Sequence, residues 1–288
     1  NTGIAIRSGS SNAGNIHFSD GTSGADQYRG IIQYHHNDNS MRFFTNATEK
    51  LRIDSTGAIL MGGTSSRDIG FPHKLQLEDN DTNPKGLSII SNRNTVHASH
   101  IDFAKTRGIS LGSNTIVQNG DYLGHINFRG ADGTDLGTSA SRISASVDGT
   151  PGSNNVPGNL TFWTQTAGGS IAERLRIDSN GRLLVGTTTE GFAEADDLTI
   201  NSADHGGITI RTPTNKEGNI AFSDTTSGTG EYSGLIRYRH SQNDLGLWTS
   251  SNLRLLIDTD GRVTLKNGGS NLASEFNSGA NQFVITHN

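Results

Sequence analysis

Histidine, tryptophan and aspartate recur at matching positions in this sequence and are its first candidates for chemistry. An apolar residue, a tyrosine and a histidine alternate in two runs, Ile32-x-Tyr34-x-His36 and Ile236-x-Tyr238-x-His240. Residues two apart on a strand share a face, so each histidine would lie beside its tyrosine. If that face lined the axis of a trimer, three identical histidines would surround a space for a metal ion or an anion. A solvated or hydrogen-bonded histidine at the rim of a sheet is the alternative that we favour, so no metal or cofactor is expected.

Two tryptophans occupy equivalent places, Trp163 and Trp248, and Phe44 stands at the third. Tryptophan stacks on sugar faces, so these two residues are candidates for glycan contact. Aromatic residues that recur in every copy of a repeat more often pack in a core. We favour the core, and the glycan role stays the alternative.

An aspartate precedes a glycine by three residues at three places: Asp54 and Gly57, Asp178 and Gly181, Asp258 and Gly261. Aspartate favours turn starts and glycine supplies a positive φ. A catalytic carboxylate need not occur three times, so these residues are predicted to build turns. No nucleophile elbow or phosphate loop stands out, and no catalytic residue is assigned. Acidic residues present in one copy only leave an enzymatic alternative open: Asp132, Asp135, Glu194, Asp196 and Asp197.

The composition disfavours an ordinary compact enzyme. Gly contributes 37 of 288 residues and 31% of the chain is hydrophobic; Leu, Ile, Val and Phe together make up about 22%, near the limit below which disorder is expected. There is no Cys, the formal net charge is −5, and no apolar run approaches a membrane span. Neither a nucleic-acid partner nor membrane insertion is expected.

An internal repeat organises the chain. Gly14-Asn15-Ile16-His17-Phe18-Ser19-Asp20 matches Gly218-Asn219-Ile220-Ala221-Phe222-Ser223-Asp224 without a gap. A third, enlarged copy lies between them, in which Tyr122–Phe128 is aligned with Tyr28–Tyr34. The predicted units are 1–70, 71–190 with an insert near 130–158, and 191–268, followed by a terminal strand segment at 269–288.

Within each unit, apolar and polar residues alternate with period 2 in short runs. Gly, Asn, Asp and Ser bound these runs, as is typical of strands. The fold is therefore predicted to be all-β with little or no helix, built of repeated short-strand units resembling a β-sandwich or β-prism. Lone hairpins are marginal in water. Each unit thus needs partners, and an elongated parallel homotrimer is the expected assembly.

The segment Glu173-Arg174-Leu175-Arg176-Ile177-Asp178-Ser179-Asn180-Gly181 resembles a motif of tailed-bacteriophage tail fibre proteins of the marine, cyanophage type. In such fibres these stretches often precede an endosialidase-type chaperone domain. Glu49–Gly63 carries a second copy and Leu253–Lys266 a more divergent one.

The resemblance implies a homotrimeric fibre on the virion tail that attaches to the host surface. Its partners would be other tail or baseplate proteins and a host surface glycan or outer-membrane protein. The 130–158 insert and the strand around Phe283–Ile285 are the expected contact regions. The alternatives are a tailspike that degrades surface polysaccharide and a bacterial surface adhesin.

Overall fold

The computed structural model describes residues 2–80, 82–83, 86–267 and 270–271. Its described residues form strands, turns and two short 3₁₀ segments, Gly24–Tyr28 and Gly228–Tyr232. The prediction of an all-β fold with little helix is confirmed. The predicted terminal segment 269–288, with Phe283–Ile285, lies outside the described residues except for 270–271.

The first compact unit, Asn1–Asp204, contains two six-stranded sheets whose strands follow chain order. Within each sheet neighbouring strands are antiparallel, except that the last two run parallel. The first sheet comprises β1 (Ala13–Phe18), β2 (Gly30–His35), β3 (Ser40–Thr45), β4 (Thr48–Ile53), β5 (Ile59–Met61) and β6 (Leu75–Leu77). The second comprises β7 (Tyr122–Arg129), β8 (Ser139–Val147), β9 (Gly158–Gln165), β10 (Ile171–Ile177), β11 (Leu183–Val185) and β12 (Leu198–Ile200).

The second compact unit, His205–Asn288, contains the third sheet, again in chain order. Its strands are β13 (Glu217–Phe222), β14 (Gly234–Arg239), β15 (Asp244–Thr249), β16 (Asn252–Ile257), β17 (Val263–Asn267) and β18 (Ser270–Asn271). Each sheet thus begins with the same four-strand meander. The division of the chain at residues 70, 190 and 268 stays a prediction.

The enlarged middle copy aligns differently from the sequence expectation. β7 is the first strand of its sheet, so Gly124-x-Ile126-x-Phe128 corresponds to Gly14-x-Ile16-x-Phe18 in β1 and not to the second strand. The second strand is β8, which lies within the predicted 130–158 insert. The alignment was wrong because both strands carry the same Gly-x-Ile-x-aromatic pattern, and β8 is rich in Ser and Ala.

Ile-x-Ile runs precede the first strand of the first and third sheets, at residues 4–7 and 208–211. Although their alternation is typical of strands, these residues belong to no strand. Instead, Ile6 and Ile210 lie over the first strand of their sheets, where a Cβ on Gly14 would come within 3.2 Å of the Ile6 side chain. The glycines at this position leave room for the segment that crosses them.

Candidate functional site

One face of every sheet is apolar and largely uncovered in the single chain. A line of directly paired residues crosses each sheet, and every member is a large apolar side chain. The lines are Ile16–Ile32–Phe43–Leu51–Met61–Leu77, then Ile126–Ile143–Phe162–Leu175–Val185–Ile200, and Ile220–Ile236–Leu247–Leu255–Leu265. The first members, Ile16, Ile126 and Ile220, are 47%, 47% and 49% exposed. We call these surfaces the apolar faces.

The predicted axial residues lie on these apolar faces. Ile32 and Ile236 belong to the lines above, and Tyr34 and Tyr238 follow two residues later on the same face. His36 packs edge-on against Tyr34 with the ring centroids 4.9 Å apart, and the Tyr238–His240 pair repeats this geometry at 5.0 Å. Among the described residues no group of three or more His, Cys, Asp or Glu side chains is arranged to hold a metal ion.

The opposite face of each sheet, the polar face, is the better covered one. In the first sheet Arg52 Nε donates to Glu49 Oε1 at 2.7 Å, and the two side chains are only 13% and 11% exposed. The second sheet repeats this pair with Arg176 and Glu173 at 2.8 Å. Leu60 and Leu184, which pair with Arg52 and Arg176 across to the next strand, are almost fully buried. In the third sheet Leu253 and Leu256 stand where the ion pair would be.

Both tryptophans lie on the polar faces, half-buried, with a guanidinium over the ring. Arg142 is centred 4.5 Å above Trp163, and Arg237 is 5.2 Å above Trp248. Trp163 Nε1 donates to Thr161 Oγ1 at 2.8 Å. The arginine occupies the ring surface on which a sugar would stack, so glycan contact would involve the guanidinium or the other surface of the ring.

The polar face of the second sheet gains a further aromatic ring that sequence reasoning missed. The register between β7 and β8 shifts between Tyr122 and Gly124. This bulge places the Tyr122 ring 5.7 Å from the Arg142 guanidinium and 4.7 Å from the His125 ring. Burial, and secondarily the charge of Arg142, lowers the pKa of His125. The imidazole Nδ1 hydrogen-bonds with Ser144 Oγ at 2.7 Å.

The three recurring aspartates share one turn geometry. Asp54 Oδ1 accepts from the backbone N–H groups two and four residues later, at 2.8 and 2.9 Å, and Asp178 and Asp258 repeat both bonds. The glycines that follow, Gly57, Gly181 and Gly261, have φ of 78°, 85° and 78°. A hydrogen bond from the Thr56 hydroxyl, with two backbone N–H bonds, lowers the pKa of Asp54 against the opposing effect of burial.

Three of the acidic residues that left an enzymatic alternative open make internal side-chain contacts, and Asp135 Oδ1 accepts the backbone N–H of Gly137 at 2.6 Å. Asp132 accepts backbone N–H bonds from Thr134 and Asp135, and these bonds lower its pKa. Asp196 pairs with Arg182 at 2.9 Å. Within the described ranges, no helix is both long enough and apolar enough to cross a bilayer.

Comparison with known proteins gives a weak structural likeness only. No protein-family model and no curated protein matches the sequence. The carboxy-terminal domain of the bacteriophage T5 L-shaped tail fibre aligns with a TM-score of 0.48 and 14% identity, over 70% of this chain and 88% of that domain. The same domain with its intramolecular chaperone domain aligns at 0.47 and 16%, over 74% of this chain and 64% of that one.

Proposed function

We propose that this chain is part of a homotrimeric tail fibre of a tailed phage and acts as a structural adhesin that attaches the virion to its host. The observation that carries the proposal is the apolar face repeated in all three sheets. Exposed apolar patches of such extent are rare on monomeric proteins and mark interaction sites. The same face in the same place on every sheet indicates one repeated mode of association.

Three identical chains in parallel give this face a partner. Each copy would contribute one sheet to a three-sided unit, with the apolar faces inward and the polar faces outward, as in a β-prism. Closed symmetry lets each copy bury the same surface. In a unit built from the first or the third sheet, the three histidines would lie against their tyrosines at the rim of the sheets.

The virion location rests on the Glu-Arg-Leu-Arg-Ile-Asp-Ser-x-Gly motif and its two further copies. These residues also have a structural account, because the Glu–Arg pair lies on the polar face and the Asp builds the turn. The remaining partners follow from the fibre role: other tail or baseplate proteins at one end, and a host surface glycan or outer-membrane protein.

Electron microscopy of the phage tests the proposal directly. Gold-labelled antibodies raised against the purified chain should decorate the tail fibres, and the purified chain should compete with virions for adsorption to host cells. Labelling of the capsid, or of no part of the particle, would refute the fibre role. Labelled fibres without any competition would leave the fibre role standing and remove the adhesin role.

A further inference from the structure

We propose that a cleft on the polar face of the second sheet binds a saccharide residue that carries a carboxylate. The cleft has a volume of about 430 Å³, within the range of roughly 300–1,000 Å³ typical of small-ligand sites. His125, Asn127 and Arg129 of β7 form one wall, and the segment around Phe71 and His73 forms the other. This inference rests on the proposed function, since it names the class of host molecule that the fibre would contact.

Arg129 supplies the charge that would recognise an anion. Its Nη1 donates to the carbonyl oxygens of Leu136 and Gly137, which fixes the guanidinium in place. Arg129 forms no ion pair with any carboxylate in the described part of the chain. An arginine held by carbonyl oxygens, with the rest of its planar fork unpaired, suits a carboxylate.

The segment on the opposite wall approaches this guanidinium closely. Gly70 has φ of 91°, and a Cβ there would lie 3.1 Å from Nη1 and 3.4 Å from Nη2 of Arg129. The backbone at residue 70 can therefore approach the Arg129 guanidinium this closely only because residue 70 is glycine. The cleft is thus formed by close packing of 69–73 against β7.

Polar side chains on both walls accompany this charge. His73 lines the cleft, although its Nδ1 is buried without a hydrogen-bond partner and is not exposed to a ligand. Asn127 uses its Oδ1 to accept from Ser139, so its amide donors remain for a ligand. Ile69, Phe71 and Leu136 give an apolar surface for the C–H groups of a sugar ring.

The surrounding charges favour a monoanion over a phosphate dianion. Asp68 and Asp135 lie beside the cleft, where each accepts a backbone N–H bond, from Gly70 and Gly137 respectively. A second negative charge on the ligand would face these carboxylates. The cleft also belongs to the face that points outward in the proposed trimer, so it would stay open after assembly.

The test measures ligand affinity by isothermal titration calorimetry on the whole chain in its native oligomeric state. The three probes are tetragalacturonate, its methyl ester and mannose 6-phosphate. The uronate should bind, and the two other probes should bind at least about tenfold more weakly because the ester lacks the charge and the phosphate carries two. Absence of uronate binding, or equal binding of the ester, would overturn the proposal. Tighter binding of the phosphate would overturn the carboxylate preference.

Variants locate the site. Arg129→Gln, which retains a donor for the loop carbonyls, should weaken uronate binding at least about tenfold. Arg174→Gln is the matched control, because it removes one charge from an exposed strand position outside the cleft and should bind as the wild type does. Should Arg129→Gln misfold, Asn127→Ala gives the same answer, because it removes the amide donors on the β7 wall of the cleft. Unchanged uronate binding by a folded variant would refute this location of the site. Antibody labelling of the fibres tests the proposed function independently.

Discussion

A carboxylate on the apolar face of the third sheet is expected to prevent the chains from associating. Ile220 and Ala221 are adjacent on β13, both are exposed in the single chain, and they point to opposite faces. Full burial of an isoleucine is worth about 1.5–3 kcal/mol, so covering the 49% of Ile220 that is exposed stabilises a trimer by roughly 1 kcal/mol per chain. In Ile220→Glu each chain would also bury a charge, at a cost of about several kcal/mol per ion.

The association state of the two variants is measured by analytical ultracentrifugation. The wild type and Ala221→Glu should sediment as trimers of about 92 kDa, three times the 30.6 kDa chain, whereas Ile220→Glu should remain monomeric or aggregate. If the apolar face were ordinary monomer surface, both substitutions would change stability by no more than about 0.5 kcal/mol. A trimeric Ile220→Glu with an unchanged melting temperature would therefore refute the assignment of this face to the interface.

Three further predictions concern stability. Asp178→Ala removes two backbone hydrogen bonds to a carboxylate and should lower the free energy of unfolding by about 2–3 kcal/mol in denaturant titrations, with Asp178→Asn losing less. Gly124→Ala places a Cβ 2.6 Å from the Cβ of Phe103 and should lower the melting temperature, while Gly130→Ala, with nothing within 4 Å, should not. Because the pKa of Asp54 is lowered in the folded chain, its ionised carboxylate stabilises the fold at pH values above the unfolded-state pKa of about 4. This stabilisation should be lost as the pH falls through the folded-state pKa of Asp54. Asp54→Asn should flatten that part of a plot of unfolding free energy against pH.

The sequence predicts most of the strands because their period and turn residues are local signals. The Asp–Gly turns and the Ile-x-Tyr parts of β2 and β14 occur where alternation places them, whereas His36 and His240 follow directly after the ends of these strands. The strand β8 could not be predicted in this way, because Ser139–Val147 has few large apolar residues. Its place in the sheet is fixed by pairing with β7 and β9. The orientation of Tyr122 depends on a bulge, which is a property of the pairing between strands.

The cleft around Arg129 could not be predicted either. Its two walls are separated by about 50 residues of sequence and meet only through packing within the first unit. The one local signal is Gly70. The reason why a glycine is required there becomes clear only when the adjacent Arg129 guanidinium is known.

The sequential order of strands in each sheet has a kinetic consequence. Strands that are neighbours in sequence are neighbours in the sheet, so each meander can form from its own hairpins without contacts to distant segments. Such a low contact order favours fast folding. In the proposed trimer, encounter between chains would then be the slow, concentration-dependent step of assembly. During that interval the apolar faces would be exposed to any neighbour, so the local chain concentration would influence whether the proposed trimer or an aggregate forms.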